Sequence, residues 1–261
     1  MDTTTHPRPV ALVTGGSRGL GRALVAGLLD DGWSVVTDGR DAARLAATAD
    51  GLTGDHLGGP DEAGARRADR LVPIAGDVAD PAHRQDLLAA AVRRFGRLDL
   101  LVLNAGDLGP SPLPHVADLS GDDLLDVLVA NVVAPHALVR DALPALRAAG
   151  GTVVAITSDA AAEAYEGWGA YGASKSALEH LARVLAEEEP AIAVHRIDPG
   201  DLRTDMHQAA FPGDDISDRP EPEIAVPAIL AIVRRRPPSG GRWQAQAVTA
   251  DPSSVPEAAN P

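Results

Sequence analysis

Cysteine is absent from this chain of 261 residues. Without thiols, neither disulfide bonds nor thiolate metal sites can form, and such a composition fits a reducing compartment. Also missing is a run of about 18 or more apolar residues, the length that a helix needs to cross a bilayer. The first residues, MDTTTHPRP, lack the apolar stretch of a secretory signal. We therefore expect a cytoplasmic protein with no membrane partner.

Positive charge is scarce as well. Lys and Arg total 23 against 37 Asp and Glu, which gives a formal net charge of −14 at pH 7. This excess of negative charge disfavours nucleic acid and anionic membranes, so we expect neither as a partner. Lys175 is the only lysine in the sequence. Because arginine serves elsewhere, this one compact ammonium points to a task that a planar guanidinium cannot perform.

Apolar runs alternate with helical patterns along most of the chain. This rhythm is typical of a parallel sheet with helices on both faces, and nearly continuous apolar strands fit burial on both sides. We predict an α/β fold: one doubly wound domain of the Rossmann type over residues 9–250, with a mainly parallel, seven-stranded sheet. The predicted strands are Val10–Val13, Trp33–Thr37, Leu71–Ile74, Leu98–Leu103, Thr152–Thr157, Ile192–Ile197 and Arg242–Val248.

Capping signals place the helices between these strands. Asp80 opens one helix and Gly96 closes it, whereas Ser120 with Asp123 opens a long helix that runs towards Ala149. The other predicted helices are Gly19–Asp30, Asp41–Ala49, Gly169–Glu188 and Pro222–Arg235.

Two segments interrupt the rhythm. Gly51–Asp69 is polar and glycine-rich, which predicts a surface insertion. Asp201–Glu221 is long and follows a strand end, where long loops often act as lids. We expect residues 1–8 and 251–261 to form loose tails.

A glycine-rich turn, TGGSRGLG over residues 14–21, joins the first predicted strand to the first helix. Glycine permits a tight turn and a close approach to phosphate, and a helix N-terminus offers free N–H groups. Such a turn after a first apolar strand favours dinucleotide binding, although glycine-rich turns also occur for packing alone. Its candidate cofactor-binding residues are Gly15, Ser17, Arg18, Gly19, Leu20 and Gly21.

The glycine spacing, together with the motifs that follow it, resembles the short-chain dehydrogenase/reductase superfamily over roughly residues 9–250. One such motif alone is weak evidence, but the full series in order is specific. The resemblance implies that Asp77 and Val78 contact the adenine of a nicotinamide dinucleotide and that 104–106 shape the cofactor cleft. The series comprises Asp77-Val78, Asn104-Ala105-Gly106, Asn131, Ser158, Tyr171-x-x-x-Lys175 and Pro199-Gly200.

The choice between NAD and NADP depends on the end of the second strand. A carboxylate there binds the ribose 2′-hydroxyl of NAD and repels the 2′-phosphate of NADP. By analogy the selecting position falls on Gly39, with Arg40 beside it and Arg18 within reach in the glycine turn. Two guanidiniums favour NADP. NAD stays open, because a shift of one residue would make Asp38 the ribose ligand.

Tyr171 and Lys175 are one helical turn apart, so they share a helix face. A phenol with a pKa of about 10 is a poor base near neutrality, and a nearby ammonium favours its deprotonated form. We therefore expect Lys175 to lower the pKa of Tyr171. Lys175 also bonds the cofactor ribose in the family. Ser158, after the fifth strand, can hold the substrate oxygen while Tyr171 exchanges a proton.

Asn131 completes the predicted catalytic set. In the family its main-chain carbonyl holds a water that links the lysine to solvent. A continuous helix would pair this carbonyl with the N–H of residue 135, but Pro135 has no N–H. Our hypothesis is that Pro135 keeps the acceptor open, and an ordinary proline kink is the alternative.

The sequence thus predicts an oxidoreductase that transfers a hydride between NADP(H), or with less support NAD(H), and an alcohol or carbonyl substrate. The expected substrate wall comprises 107–115 and 159–168, and Trp168 is expected to pack on the substrate. Pro199, Gly200 and Thr204 are expected beside the nicotinamide. Two alternatives are a cofactor-binding regulator without turnover, which the retained catalytic residues disfavour, and an epimerase or dehydratase, which the chain length disfavours.

No metal site is expected, because His195 and His207 do not form a ligand-spaced cluster with acidic residues. Relatives in the resembling family commonly assemble through the helices that carry the asparagine and the tyrosine. That resemblance implies a homodimer or a homotetramer here.

Overall fold

The computed structural model of the protein describes residues 8–54, 66–250, 253 and 255. Seven strands form a single sheet in this part of the chain. They are β1 (Val10–Val13), β2 (Ser34–Gly39), β3 (Leu71–Ala75), β4 (Leu100–Leu103), β5 (Thr152–Ile156), β6 (Ala193–Asp198) and β7 (Arg242–Gln244).

The strand order is β3-β2-β1-β4-β5-β6-β7, and every neighbouring pair is parallel. The winding reverses between β1 and β4, where Leu12 pairs with Leu101. In open α/β sheets, ligands bind outside the carboxyl ends of the strands at this reversal. The predicted doubly wound α/β fold is therefore confirmed, and its switch point indicates where to look for a site.

Helices cover both faces of the sheet. Asp80 accepts a hydrogen bond from the amide of Ala82 at the start of one helix, and Gly96 ends that helix with φ +80°. Ser120 Oγ accepts from the amide of Asp123, 3.0 Å away. The helices are α1 (Gly19–Asp30), α2 (Ala42–Thr53), α3 (Arg67–Arg70), α4 (Pro81–Phe95), α5 (Gly121–Leu128), α6 (Ala134–Ala149), α7 (Gly169–Glu188), α8 (Asp205–Ala210), α9 (Val226–Arg235) and α10 (Ala245–Ala250).

Two hydrophobic cores hold these layers together. On one face, α1 and α9 pack on the sheet through fully buried leucine and isoleucine side chains, among them Leu24, Leu28 and Ile229. On the other face, α4, α6 and α7 contribute Leu87, Leu146 and neighbouring side chains. Truncating one such leucine to alanine costs about 2–5 kcal/mol, so these cores fix the sheet that carries the site.

The long helix predicted from Ser120 towards Ala149 is interrupted. Val129–Val133 forms a π-helical turn between α5 and α6, and the amide of Ala134 donates to the carbonyl of Val129. Pro135 has no N–H to continue the α-helical ladder here, which explains why the hydrogen-bond register changes at this point. Prediction of one continuous helix was therefore wrong.

The last predicted strand is also too long. Strand β7 ends at Gln244, and the rest of the predicted Arg242–Val248 strand belongs to α10. Ala245 and Val248 are both buried, and positions three apart share one face of a helix rather than one face of a strand. Burial of these two side chains against the first core favours the helix.

The surface insertion and the tails need correction as well. Gly51 lies in the last turns of α2, and α3 occupies 67–70, so the predicted insertion is wrong at both ends; residues 55–65 lie outside the described part. Residues 1–7 and most of 251–261 also lie outside it. Val255, however, is buried in the first core, and its carbonyl accepts a 2.8 Å bond from Arg235, so the loose tail is wrong there.

Within the described residues, no helix combines the length and the hydropathy that crossing a lipid bilayer requires.

Candidate functional site

A cavity of about 440 Å³ opens at the carboxyl ends of the strands, where the winding of the sheet reverses. Ser158, Tyr171 and Lys175 line it, whereas the fourth predicted catalytic residue, Asn131, lies behind its wall. Every predicted cofactor-binding residue lines the same cavity: Gly15, Ser17, Arg18, Gly19, Leu20, Gly21, Arg40, Asp77, Val78, Asn104, Ala105, Gly106, Pro199, Gly200 and Thr204.

The glycine turn forms a backbone cradle at one end of the cavity. Gly15 has φ +74°, which favours glycine, and its amide donates a 2.6 Å bond to Oδ1 of Asp38. A Cβ at Gly21 would lie 2.1 Å from the carbonyl oxygen of Gly15, so only glycine fits. Helix α1 begins here with no side-chain cap and no acidic residue in its first turn. These free N–H groups and the absence of side chains fit the phosphates of a dinucleotide.

Thr14 holds the cradle against the end of β4. Its Oγ1 accepts from the amides of Asn104, at 3.1 Å, and Ala105, at 3.0 Å. The Asn104 side chain donates in return to the carbonyl of Thr14, at 2.8 Å. These bonds therefore tie the ends of β1 and β4 together beside the cavity. The sequence prediction included Asn104 but not the role of Thr14.

Asp38, the residue that left NAD open in the sequence, points into the protein. Its carboxylate is 1% exposed, and besides the Gly15 amide it contacts Nε2 of His83 at 3.0 Å. Both oxygens are thus committed to the protein itself. Gly39 follows at the end of β2 on the cavity wall, as predicted, with Arg40 beside it.

Three guanidiniums surround the cavity near this strand end. Arg18 and Arg40 were predicted, and Arg44 in the first turn of α2 was missed. Arg18 Nη1 and Arg44 Nη1 both donate to Oδ2 of Asp205, at 2.8 and 3.0 Å. Arg40 lies 3.6 Å from Oδ2 of Asp107. The position of Arg44 three residues after the helix cap Asp41 gave no signal of this role.

Tyr171 and Lys175 lie on adjacent turns of α7 and are both buried. Lys175 Nζ is 5.4 Å from the centre of the Tyr171 ring and donates a 2.9 Å bond to the carbonyl of Ile156 at the end of β5. The pairing predicted from their spacing is therefore present, with the ammonium above the ring face rather than bonded to the phenol oxygen.

Burial controls the protonation of both groups. It raises the pKa of Tyr171 above the usual value, and the negative charges of Asp198 and Asp159 raise it further. Burial also lowers the pKa of Lys175 to about 8. The predicted lowering of the Tyr171 pKa by Lys175 is thus wrong for this geometry, because desolvation disfavours the phenolate and the ammonium alike.

Ser158, a predicted catalytic residue, also caps a short 3₁₀ turn. Its Oγ accepts from the amide of Ala160 at 3.2 Å, at the start of the 3₁₀ turn Asp159–Ala161, and donates to Oδ1 of Asp159 at 2.8 Å. Tyr165 donates to the other oxygen of Asp159, 2.9 Å away. Burial opposes ionisation of Asp159, but the bonds from Ser158 and Tyr165 outweigh it and lower its pKa. A carboxylate that sequence reasoning did not single out therefore stands beside Ser158.

Asn131 does not line the cavity but bonds to residues of its wall. Its Oδ1 accepts from the amide of Asp107 at 2.7 Å, and its Nδ2 donates to the carbonyl of Asp107 at 2.8 Å. Nδ2 also donates to Ser174 Oγ on α7, 2.9 Å away. The side chain thus joins the segment after β4 to the helix of Tyr171. Pro135 stands where the α-helical donor to the Asn131 carbonyl would be, and the water link stays a prediction.

The other end of the cavity is aromatic. Trp168 lies edge-on to Tyr171, with 5.6 Å between ring centres, and 6.1 Å from Phe211. Met206 packs on the same small apolar cluster. Thr204 caps α8 by accepting from the amide of His207 at 3.1 Å. Trp168, Thr204, Met206 and His207 line the cavity, so part of the predicted lid forms its wall.

Metal ligands are not grouped here. Across 8–54, 66–250, 253 and 255, no three His, Asp or Glu side chains are placed to hold a metal ion. His195, a candidate considered from the sequence, is fully buried in β6 beneath Trp243.

Related proteins share this sequence or this fold over most of the chain. The family model described as short chain dehydrogenase matches residues 9–215. An uncharacterized oxidoreductase of Saccharomyces cerevisiae is 35% identical over 200 residues, which cover 76% of this chain and 72% of the relative. An L-fucose dehydrogenase of Rattus norvegicus is 33% identical over 201 residues, 76% of this chain and 68% of the relative. A short chain dehydrogenase structure from Escherichia coli with NADPH matches with TM-score 0.80 and 29% identity, covering 91% of this chain and 96% of that one.

Proposed function

The chain belongs to the short-chain dehydrogenase family and is an NAD(P)-dependent oxidoreductase; on that premise we propose that it transfers a hydride between NADP(H) and an alcohol or carbonyl substrate. One observation carries the proposal. Tyr171 and Lys175 are buried one helical turn apart in the same cavity that holds the glycine cradle. The proposed proton donor and the proposed dinucleotide site therefore share one cleft.

The polar groups near the end of β2 support NADP over NAD. Asp38, the carboxylate at the end of β2 that left NAD open in the sequence, is turned inward onto Gly15 and His83. Arg18 and Arg40 supply positive charge that suits a 2′-phosphate. The structure of a related short chain dehydrogenase with NADPH also supports the choice of NADP.

We assign the chemistry at the substrate end to side chains of this chain. When bound, the nicotinamide supplies or accepts the hydride. Ser158 donates a hydrogen bond to the substrate oxygen, and Tyr171 gives its phenolic proton to that oxygen during reduction or takes one during oxidation. The raised pKa of Tyr171 keeps this proton on the phenol near neutrality, which suits the reductive direction. Lys175 holds positive charge next to the ring, and Asn131 positions the adjacent wall.

Assembly through α6 and α7 is part of the proposal. Leu181 and Val184 on α7 are each 39% exposed, and a groove beside them is lined by Val139 and Leu143 of α6. Exposed apolar side chains of this kind mark protein interfaces. We therefore propose a homodimer or homotetramer, to be checked by light scattering on the purified protein, with Leu181→Glu expected to yield monomers.

The test of the proposed activity uses the two tyrosines of the chain. Absorbance at 340 nm is followed with NADPH and aromatic aldehydes or ketones, and with NADP and L-fucose, the latter because of the rat relative. Tyr171→Phe removes the proton donor and is expected to lower kcat by about 100-fold or more. Tyr165→Phe is the matched comparison: Tyr165 stands outside the cavity wall and loses only its bond to Asp159, so we expect a much smaller effect than in Tyr171→Phe. Unchanged turnover in Tyr171→Phe contradicts the mechanism.

A further inference from the structure

Arg18 and Arg44 meet at a single oxygen atom. Both donate from Nη1 to Oδ2 of Asp205, Arg18 from the glycine turn and Arg44 from α2. Asp205 is the first residue of α8 and directly follows Thr204. All three charged side chains line the cavity that contains the glycine cradle. Two guanidiniums aimed at one anionic oxygen form a binding site for an oxyanion, which the protein fills with its own carboxylate.

The carboxylate is held firmly in its charged form but loosely in place. Hydrogen bonds from Arg18, and then from Arg44, lower the pKa of Asp205. The side chains are nevertheless open to solvent, at 52% exposure for Arg18, 48% for Arg44 and 61% for Asp205. Exposed ion pairs contribute little because water screens them. An incoming anion of higher charge can therefore displace Asp205 without breaking a buried structure.

A phosphate monoester is such an anion. It carries about −1.5 to −2 charge near pH 7 and offers three acceptor oxygens, against one charge and two oxygens for a carboxylate. We propose that Asp205 occupies the site of the cofactor 2′-phosphate, that Arg44 binds this phosphate beside Arg18, and that Asp205 must leave when NADP enters. This inference rests on the proposed function, since it concerns the cofactor of the same site.

Displacement of Asp205 also affects α8. The two arginine bonds hold the first turn of this helix at the cofactor end, while Met206 and His207 of the same turn line the substrate end of the cavity. A cofactor with a 2′-phosphate therefore frees the start of the wall that faces the substrate, and NAD does not. Asp205 is therefore a positioning residue. Whether it stays bound to the two arginines depends on the cofactor, and its position sets that of the α8 turn at the substrate end of the cavity.

The test measures binding directly on the purified full chain. Fluorescence titrations give Kd for NADPH and NADH, and calorimetry gives Kd for adenosine 2′-monophosphate and adenosine 5′-monophosphate. In Asp205→Asn, we expect NADPH and the 2′-monophosphate to bind about 3- to 10-fold more tightly, because the internal competitor loses its charge. In Arg44→Gln we expect both to bind about 5- to 10-fold more weakly. NADH and the 5′-monophosphate change less than about twofold in either variant.

Matched controls come from a second exposed ion pair. Arg22 lies 3.6 Å from Glu223, is 49% exposed and stands outside the cavity wall, so Arg22→Gln and Glu223→Gln remove equivalent charges elsewhere. Amide hydrogen exchange of 205–210 provides a second readout, and NADPH but not NADH is expected to increase it.

The outcomes separate this inference from the proposed function. Weaker or unchanged NADPH binding in Asp205→Asn overturns the competitor role while wild-type binding of NADPH still stands. Equal changes for NADH and NADPH in Arg44→Gln overturn the role of Arg44 in phosphate recognition. Failure of the wild-type protein to bind either dinucleotide overturns the proposed function itself.

Discussion

The imidazole of His83 and the carboxylate of Asp38 are buried as a pair, with 3.0 Å between Nε2 and Oδ2. The other oxygen of Asp38 receives the amide of Gly15, and the His83 ring lies against Gly76, where a Cβ would be 2.2 Å from Nδ1. One pair thus joins the glycine turn, the end of β2 and the turn after β3. These three segments line one end of the cavity.

Replacing His83 with Leu is expected to lower the free energy of unfolding by about 3–5 kcal/mol. The substitution keeps most of the volume but leaves the buried Asp38 carboxylate without one partner. Urea denaturation followed by circular dichroism measures the change. His115→Leu is the control, because His115 pairs with Glu166 on the surface, at 66% and 81% exposure, and should cost less than about 1 kcal/mol. Equal costs for the two variants would refute the role of the buried pair.

Dinucleotide binding is expected to be lost in Gly21→Ala. The new Cβ would lie 2.1 Å from the Gly15 carbonyl oxygen and 2.5 Å from Asn104 Nδ2, so the cradle must open to admit it. We expect Kd for NADPH to rise at least about 10-fold, as a cost of about 1.4 kcal/mol or more. Gly51→Ala in α2 has no atom within 4 Å of its Cβ and serves as the control. It should leave Kd unchanged and stabilise the fold by about 0.5–1 kcal/mol.

The single lysine allows its ionisation to be measured alone. Burial lowers the pKa of Lys175 to about 8 from 10.5, so between these values the unfolded chain binds more protons than the folded protein. Unfolding free energy contributed by this group therefore rises with pH from about 8 to 10, by up to the order of 3 kcal/mol. Below pH 8 the contribution is constant, because both states are protonated.

Two measurements check this. NMR of protein labelled with ¹³C-lysine gives one side-chain signal, whose midpoint is expected near pH 8. Urea denaturation at pH 8 and pH 10 should show a steeper gain for wild type than for Lys175→Met. A midpoint above pH 10 would exclude the desolvated ammonium.

Much of this fold was visible in local sequence signals. Asp80, Gly96 and Ser120 cap helices next to them in the sequence, so the capping rules located these helix ends. The π turn at Val129–Val133 was not visible, because Pro135 shows only that a donor is missing and not which register replaces it. The prediction of the last strand was wrong because the alternating pattern of this segment is compatible with either β7 or α10. Only packing against the core selects between strand and helix.

The candidate site could likewise be predicted from the sequence only in part. Motif spacing brought Gly15, Tyr171 and Lys175 to one cavity, since each follows a strand end or lies on one helix face. Arg44 was missed because its partner Asp205 lies 161 residues away, and no local pattern reports such a pairing. The predicted direction of the Tyr171 pKa shift was also wrong, because burial and the positions of distant carboxylates depend on the tertiary structure.

Asn131 is expected to act through Asp107 rather than on the substrate. In Asn131→Asp, Oδ1 still accepts from the Asp107 amide, but the donor to the Asp107 carbonyl and to Ser174 is lost. We expect a loss of about 1–3 kcal/mol in unfolding free energy. We also expect KM for the substrate to rise more than kcat falls, because the wall after β4 loosens. A lower kcat at unchanged stability would instead point to direct participation in proton transfer.

Lys175 is 3% exposed and is the sole lysine, so the surface presents no ε-amine in the described part of the chain. Amine-directed dyes should therefore react with the ε-amine of Lys175 only once the fold opens, so that labelling of this side chain reports unfolding.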